Sequence, residues 1–148
     1  GCELALACDM IVASRSATFG VPEVKRGLVA GGGGVINLPR RISRNLAMEI
    51  ILTGDPVTAE RAYEIGLVNR ITDGSARFEA LELAETIAEN APLAVQVSKR
   101  VVYDSQDWPL DELYNRQNKM IGPVIMSQDA QEGAAAFAQK RKPVWQGK

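Results

Sequence analysis

There is no histidine among the 148 residues. That absence removes Ser-His and Cys-His nucleophilic machinery and His-based zinc sites from what the chain can do by itself. Proton transfer falls to carboxylates. There are only two cysteines. Cys2 and Cys8 fall on one expected helix, point to different sides and cannot join in a disulfide of ordinary geometry. They read as small buried residues in a reducing compartment, which fits a cytoplasmic protein. Aromatic residues make up 5%, too few for the stacking platforms of a carboxylate-pair glycosidase. Seventeen basic against eighteen acidic side chains leave a net charge of −1, so there is no overall field for nucleic acid or an anionic membrane. No apolar run approaches the ~20 residues of a membrane-spanning helix, and no basic-then-apolar signal pattern is visible.

What is present suits a globular domain. At 46% hydrophobic and 24% charged the chain can bury a sizeable core. Its most informative stretch is the first thirty-four residues, where Glu3 and Glu23 stand in small or apolar surroundings. The run Gly-Cys-Glu-Leu-Ala-Leu-Ala-Cys predicts a helix with Leu4 and Cys8, at i and i+4, turned to a core. Glu3 then lies in a first helical turn, where the helix dipole favours its anion while the apolar neighbours oppose it. Met10 to Ala13 reads as a short buried strand and Thr18 to Gly20 as a second, shorter one. Pro22 fixes its own φ and biases Val21 to an extended backbone, so a strand out and a strand back can return Glu23 towards Glu3. The alternative for each glutamate is a solvated charge, or for Glu23 an ion pair with Lys25 or Arg26.

Downstream, Ala30-Gly31-Gly32-Gly33-Gly34 is the most unusual composition. It permits close approach of a ligand to backbone, and a helix beginning near Gly33 would aim free amides into that space. No Gly-Lys-Ser/Thr follows, which argues against a Walker loop. Close packing of a turn against a neighbouring helix is an equal alternative. Beyond it the pattern predicts a helix from Ser43 as N-cap through Leu52, a helix opened by Thr58 and ended by Gly66, and a strand over Leu67 to Ile71. Arg40, Arg41 and Arg44 cluster at a helix end, where solvation is the simpler reading and phosphate contact the sharper one. Thr72-Asp73-Gly74-Ser75 is the expected boundary between residues 1–74 and a helical region, 75–148. Helices are expected over Phe78 to Ala88, over Ala94 to Tyr103, from Pro109 with an interruption at Gly122-Pro123, and from Asp129 or Ala130 to Arg141. So many amphipathic helices leave apolar surface for partners.

Several separated motifs agree in order with one family. Residues 1–9, Phe19-Gly20-Val21-Pro22-Glu23, Gly27 to Gly34, Leu52-Thr53-Gly54-Asp55, Ala62 to Val68 and Phe137 to Pro143 resemble the enoyl-CoA hydratase/isomerase (crotonase) family. The resemblance implies an α/β fold of the crotonase ββα spiral type. Residues 1–74 would form the back part of its core and residues 75–148 its trimerisation helices, so that only the second half is represented. It implies that the residue matching Glu3 holds and activates a water while the one matching Glu23 exchanges a proton at the α-carbon of an acyl-CoA thioester. Members that only shift a double bond commonly lose the first carboxylate. Keeping both favours hydration of a trans-2-enoyl-CoA, with a 3,2-enoyl-CoA isomerase and a non-catalytic CoA-binding subunit as alternatives.

The same resemblance places an amide matching Gly31 beside the catalytic water. It has Lys140 approach the CoA of a neighbouring subunit in a homotrimer or hexamer, unless Lys140 is simply a solvated helix end. It calls for no metal or redox cofactor, coenzyme A being part of the substrate. Ala30 stands where many relatives have Pro and Gly32 where many have Ala, so a looser loop is expected. The oxyanion-hole amides would come from upstream, one of them from the glycine just before Gly1, and Gly1 is counted with the substrate-binding residues. The chain opens with no Met and no N-cap residue, inside a helical pattern. Gly1 is therefore expected to be a cut end, and a mitochondrial transit segment could have been lost with the preceding residues.

Overall fold

A computed structural model describes all of residues 1–148. It divides into two compact units, Gly1–Glu82 and Leu83–Lys148. The first contains α1 (Cys2–Leu6), β1 (Val12–Ser14), β2 (Thr18–Phe19), a 3₁₀ helix (Pro22–Arg26), α2 (Gly34–Arg41), α3 (Arg44–Thr53), β3 (Val57–Thr58), α4 (Ala59–Glu64) and β4 (Arg70–Thr72). Helix α5 (Ala76–Ala88) carries the chain from one unit to the other. The division falls beyond the Thr72–Ser75 turn because the first turns of α5 stay with β4: Thr72 Oγ1 meets Glu79 Oε1 at 3.4 Å.

Two small ladders frame the first unit. β1 pairs in parallel with β4, Val12 opposite Arg70 and Ser14 opposite Thr72, while β2 runs antiparallel to β3 with Phe19 opposite Val57. A parallel pair needs a crossover, and α2, α3 and α4 provide it. Its buried core includes Leu6, Ile11, Phe19, Val21, Leu38, Ile50 and Leu67. Both parallel strands begin later than their apolar runs suggest. Asn69 explains the offset, since its side-chain oxygen accepts from the Ile11 amide and its own amide donates to the Ile11 carbonyl, both at 2.8 Å. Ile11, Leu67 and Val68 are thus buried ahead of the ladder. The two-residue β3 was not expected from sequence, being too short to carry a period.

The second unit holds α6 (Pro92–Asp104), a 3₁₀ turn (Ser105–Asp107), α7 (Leu113–Ile125) and α8 (Gln128–Ala138). Leu110 lies in a turn before α7 and is exposed. Helix α7 runs through Gly122-Pro123 without the expected break. The proline sits in the last turn, so the bond its missing N–H forgoes disturbs only a short end of the helix. After α8 the chain turns at Lys140 (φ 52°) and folds back along the helix. Buried Asp129 receives the backbone amides of Gln146 (2.7 Å) and Gly147 (2.9 Å). Arg141 clamps Glu132 through two N–H groups at 2.6 and 2.8 Å. The Trp145 indole donates to the Glu89 carbonyl at 2.7 Å.

Candidate active site

Glu3 occupies the first turn of α1, a helix of only five residues. Leu4 is 74% exposed and Cys8 is exposed, so the face they share is not the buried one. Leu6, 2% exposed, marks the inner face instead, and Glu3 shares that side at i, i+3. The side chain of Glu3 meets the glycine loop: Oε1 accepts the Gly34 amide at 2.9 Å. Gly34 is the first residue of α2, behind Gly33 as N-cap with φ 106°. The carboxylate therefore caps a helix N-terminus, where free N–H groups and the positive end of the dipole attract an anion. Its other oxygen, Oε2, lies over Gly32, only 2.6 Å from where a Cβ on that residue would stand.

Glu23 sits in the 3₁₀ helix after Pro22. Its Oε2 is buried with no hydrogen-bond partner. An unpaired buried polar atom costs on the order of 1–3 kcal/mol, and such costs persist where a group is kept free for a proton or a ligand. The ion pair with Lys25 does not form, because Lys25 pairs with Asp55.

Cys2 feels the charge of both carboxylates. Burial pushes its thiol above the ordinary value, a hydrogen bond with the Gly20 backbone and the amino-terminal charge oppose the rise, and the charges of Glu3 and Glu23 both add to it. Sequence reasoning treated Cys2 as filler, although its place beside Glu3 was a signal that it shares that site. The Gly34 amide was named only through the expected helix start near Gly33.

The other candidates are placed as follows. Gly31 is exposed in the turn before Gly32. Gly1 is exposed and its carbonyl accepts from the Ala5 amide at 3.0 Å. Lys140 belongs to the second unit and is exposed. Of the arginine cluster, Arg41 donates to the Leu6 carbonyl at 3.1 Å and so tethers α2 to the end of α1. No group of three or more His, Cys, Asp or Glu side chains is gathered closely enough to hold a metal ion. No helix is long and apolar enough to cross a membrane.

Comparison with known proteins gives a consistent result. The crystal structure of enoyl-CoA hydratase from Mycobacterium tuberculosis H37Rv superposes with a TM-score of 0.95 at 53% identity, over 98% of this chain and 58% of that one. That of enoyl-CoA hydratase from Bacillus anthracis gives 0.95 at 36% identity, over 100% and 58%. In sequence, 2,3-dehydroadipyl-CoA hydratase of Escherichia coli (strain K12) is 37% identical, over all of this chain and 58% of that protein. Carnitinyl-CoA dehydratase of Salmonella typhi is 40% identical, over all of this chain and 59% of that protein. The chain thus spans under two thirds of the length of the relatives it matches, and its α/β fold is of the crotonase type, represented by the second half. The model of the enoyl-CoA hydratase/isomerase family matches residues 1–148, and the chain belongs to that family.

Proposed function

We propose that this chain supplies the acid/base pair of an enoyl-CoA hydratase, which adds water reversibly and syn across the double bond of a trans-2-enoyl-CoA to give a 3-hydroxyacyl-CoA. What supports the reading is that Glu3 holds the Gly34 amide through Oε1 alone while Glu23 keeps a buried, unpartnered oxygen, and that Glu3 and Val21, two residues before Glu23, both stand against Gly34. Glu3 takes a proton from water as the water oxygen bonds to C3. The π electrons pass towards C2 and the thioester oxygen, and Glu23 delivers a proton to C2. Proton return between the carboxylates resets the site, and the net addition is one water. Gly31 and Gly1 border the water and the thioester, and the oxyanion donors come from the additional length that the relatives possess.

Coenzyme A enters as part of the substrate, with Lys140 facing it from a neighbouring copy, and no metal or redox cofactor is required. The copies form a trimer or a pair of trimers through second-unit surfaces that leave Leu110, Tyr114, Met126 and Phe137 exposed. Relatives named as a CoA-thioester hydratase and a CoA-thioester dehydratase support this reaction type.

The test is loss of crotonoyl-CoA absorbance with a protein of full family length that contains these residues. It should bleach the conjugated thioester, and Glu3→Gln and Glu23→Gln should each lower kcat by at least ~10²-fold. Loss of turnover in Glu23→Gln with a mild Glu3→Gln would point instead to double-bond isomerisation. CoA binding with no turnover of crotonoyl-CoA or of a 3-enoyl-CoA would make the protein a binding subunit and sink the proposal.

A further inference from the structure

Every left-handed residue in the chain but one is a glycine, and the exception is Lys140 at φ 52°. It stands just after α8 in a complete Schellman turn, the Lys140 amide donating to the Phe137 carbonyl at 3.2 Å and the Arg141 amide to the Ala136 carbonyl at 3.0 Å. That position favours glycine, because a Cβ disfavours the conformation by roughly tenfold. The neighbours of Lys140 make up the difference. The Arg141 guanidinium reaches back nine residues to Glu132, Nη1 to Oε1 at 2.6 Å and Nη2 to Oε2 at 2.8 Å. Its Nε donates to the Gln139 side chain at 2.7 Å and its Nη1 to the Lys142 carbonyl at 3.2 Å, so it grips the chain on both sides of Lys140. Glu132 in turn accepts the Val144 amide at 2.9 Å. The Lys140 ammonium is exposed, with no hydrogen bond or ion pair of its own.

We propose that Arg141 and Glu132 are positioning residues for Lys140, their fork holding the turn left-handed so that the ammonium of one copy is presented to the CoA phosphates bound by its neighbour. This rests on the reading of Lys140 as a contact to CoA. A lysine kept where glycine would fold more easily is kept for its side chain, and the anions of CoA are its phosphates. A lysine on a frayed helix end would have to be ordered anew each time CoA binds, and a turn already fixed lowers that cost. Neither Arg141 nor Glu132 needs to meet the substrate, since each charge is satisfied by the other.

The experiment measures hydration of crotonoyl-CoA, and of crotonoyl-pantetheine, which lacks the phosphates, by the protein of full family length. Lys140→Ala should raise KM for crotonoyl-CoA about fivefold, and Arg141→Gln and Glu132→Gln about threefold each, with kcat within about twofold. None of the three should move KM for crotonoyl-pantetheine, and in the Lys140→Ala background the two clamp changes should add nothing. Asp129→Asn, which loosens the strap at Gln146 and Gly147, should melt earlier and leave KM unmoved. Lys140→Gly should raise the melting temperature by ~2–4 °C while raising KM as Lys140→Ala does. If Arg141→Gln melts too early to assay, Arg141→Lys keeps the charge, loses the fork and should give an intermediate KM. Clamp variants with unaltered KM, where Lys140→Ala raises it, overturn the positioning and leave the contact standing. Unaltered KM in Lys140→Ala removes the contact itself, and the proposal with it. A KM that rises in Asp129→Asn, or rises equally for both thioesters, marks general loosening and overturns the proposal as well.

Discussion

Replacing Asp129 by alanine should release the C-terminal strap of the second unit. Asp129 is 2% exposed, and its two oxygens hold the amides of Gln146 at 2.7 Å and Gly147 at 2.9 Å. Its own amide donates to the Lys148 carbonyl at 3.1 Å. A hydrogen bond to a charged group contributes roughly 1.5–3 kcal/mol where its partners stay buried. Here the freed amides can return to water, so the lower end applies and the pair contributes about 3 kcal/mol. Its place in the first turn of α8 adds up to about 1 kcal/mol from the helix dipole. Asn, which keeps one acceptor, should cost about half as much as Ala.

The assay is urea unfolding followed by Trp145 emission in a Trp108→Phe background, those being the two tryptophans. Trp145 reports the strap directly, since its indole is bonded to the Glu89 carbonyl and its ring lies against Gly133. Asp129→Ala should shift the midpoint by that free energy and expose residues 141–148 to proteolysis. A change below about 0.5 kcal/mol with unaltered Trp145 emission would mean that Glu132, Arg141 and the indole hold the strap without Asp129, and the assignment would be wrong.

Two further outcomes can be checked on the same protein. Arg141 and the Val144 amide hold the Glu132 carboxyl down at about 2, from an ordinary value of 4.5. Its stabilisation is therefore complete above about 4.5 and lost as pH falls towards about 2. The difference in Trp145 emission between wild type and Arg141→Gln should close over that acid interval, and a constant difference would count against the clamp. The Cys2 thiol, raised by burial and by Glu3 and Glu23, should alkylate more slowly than exposed Cys8. Glu3→Gln and Glu23→Gln should each move its labelling profile to lower pH, measured by mass spectrometry across a pH series. A profile that neither change moves would separate Cys2 from the carboxylates.

Sequence carried the reading of the glycine loop well because each part of it is local chemistry. Four consecutive glycines before a helical pattern imply a helix start with bare amides, and Gly34 meets that description. What it could not carry was the choice of a face on α1. Leu4 and Cys8 make a genuine apolar repeat, yet on five small-residue positions the repeat does not say which side is covered. The N-terminus of α2 takes the Glu3 side and leaves Leu4 out. The strap was invisible for a related reason. Asp129 reads as an ordinary first-turn acid until the tail returns to it, and that return depends on Lys140 adopting φ 52°, which no composition signal at a lysine announces.

The freedom of the Glu23 oxygen follows from residues far away in sequence. Lys25 is the natural partner by proximity, but two positions along a 3₁₀ helix with three residues per turn its side chain departs on another side. There it finds Asp55, just past the turn that ends α3. That turn needs Gly54 at φ 66°, and a Cβ at Gly54 would stand 3.1 Å from Val24 and 3.2 Å from Lys25. With side chains 48% and 70% exposed, the Lys25–Asp55 pair adds under about 1 kcal/mol to stability. Its effect is on the cation's direction. Leu52-Thr53-Gly54-Asp55 thus acts on the site without entering it, because it draws Lys25, one of the two cations next to Glu23 in sequence, to Asp55.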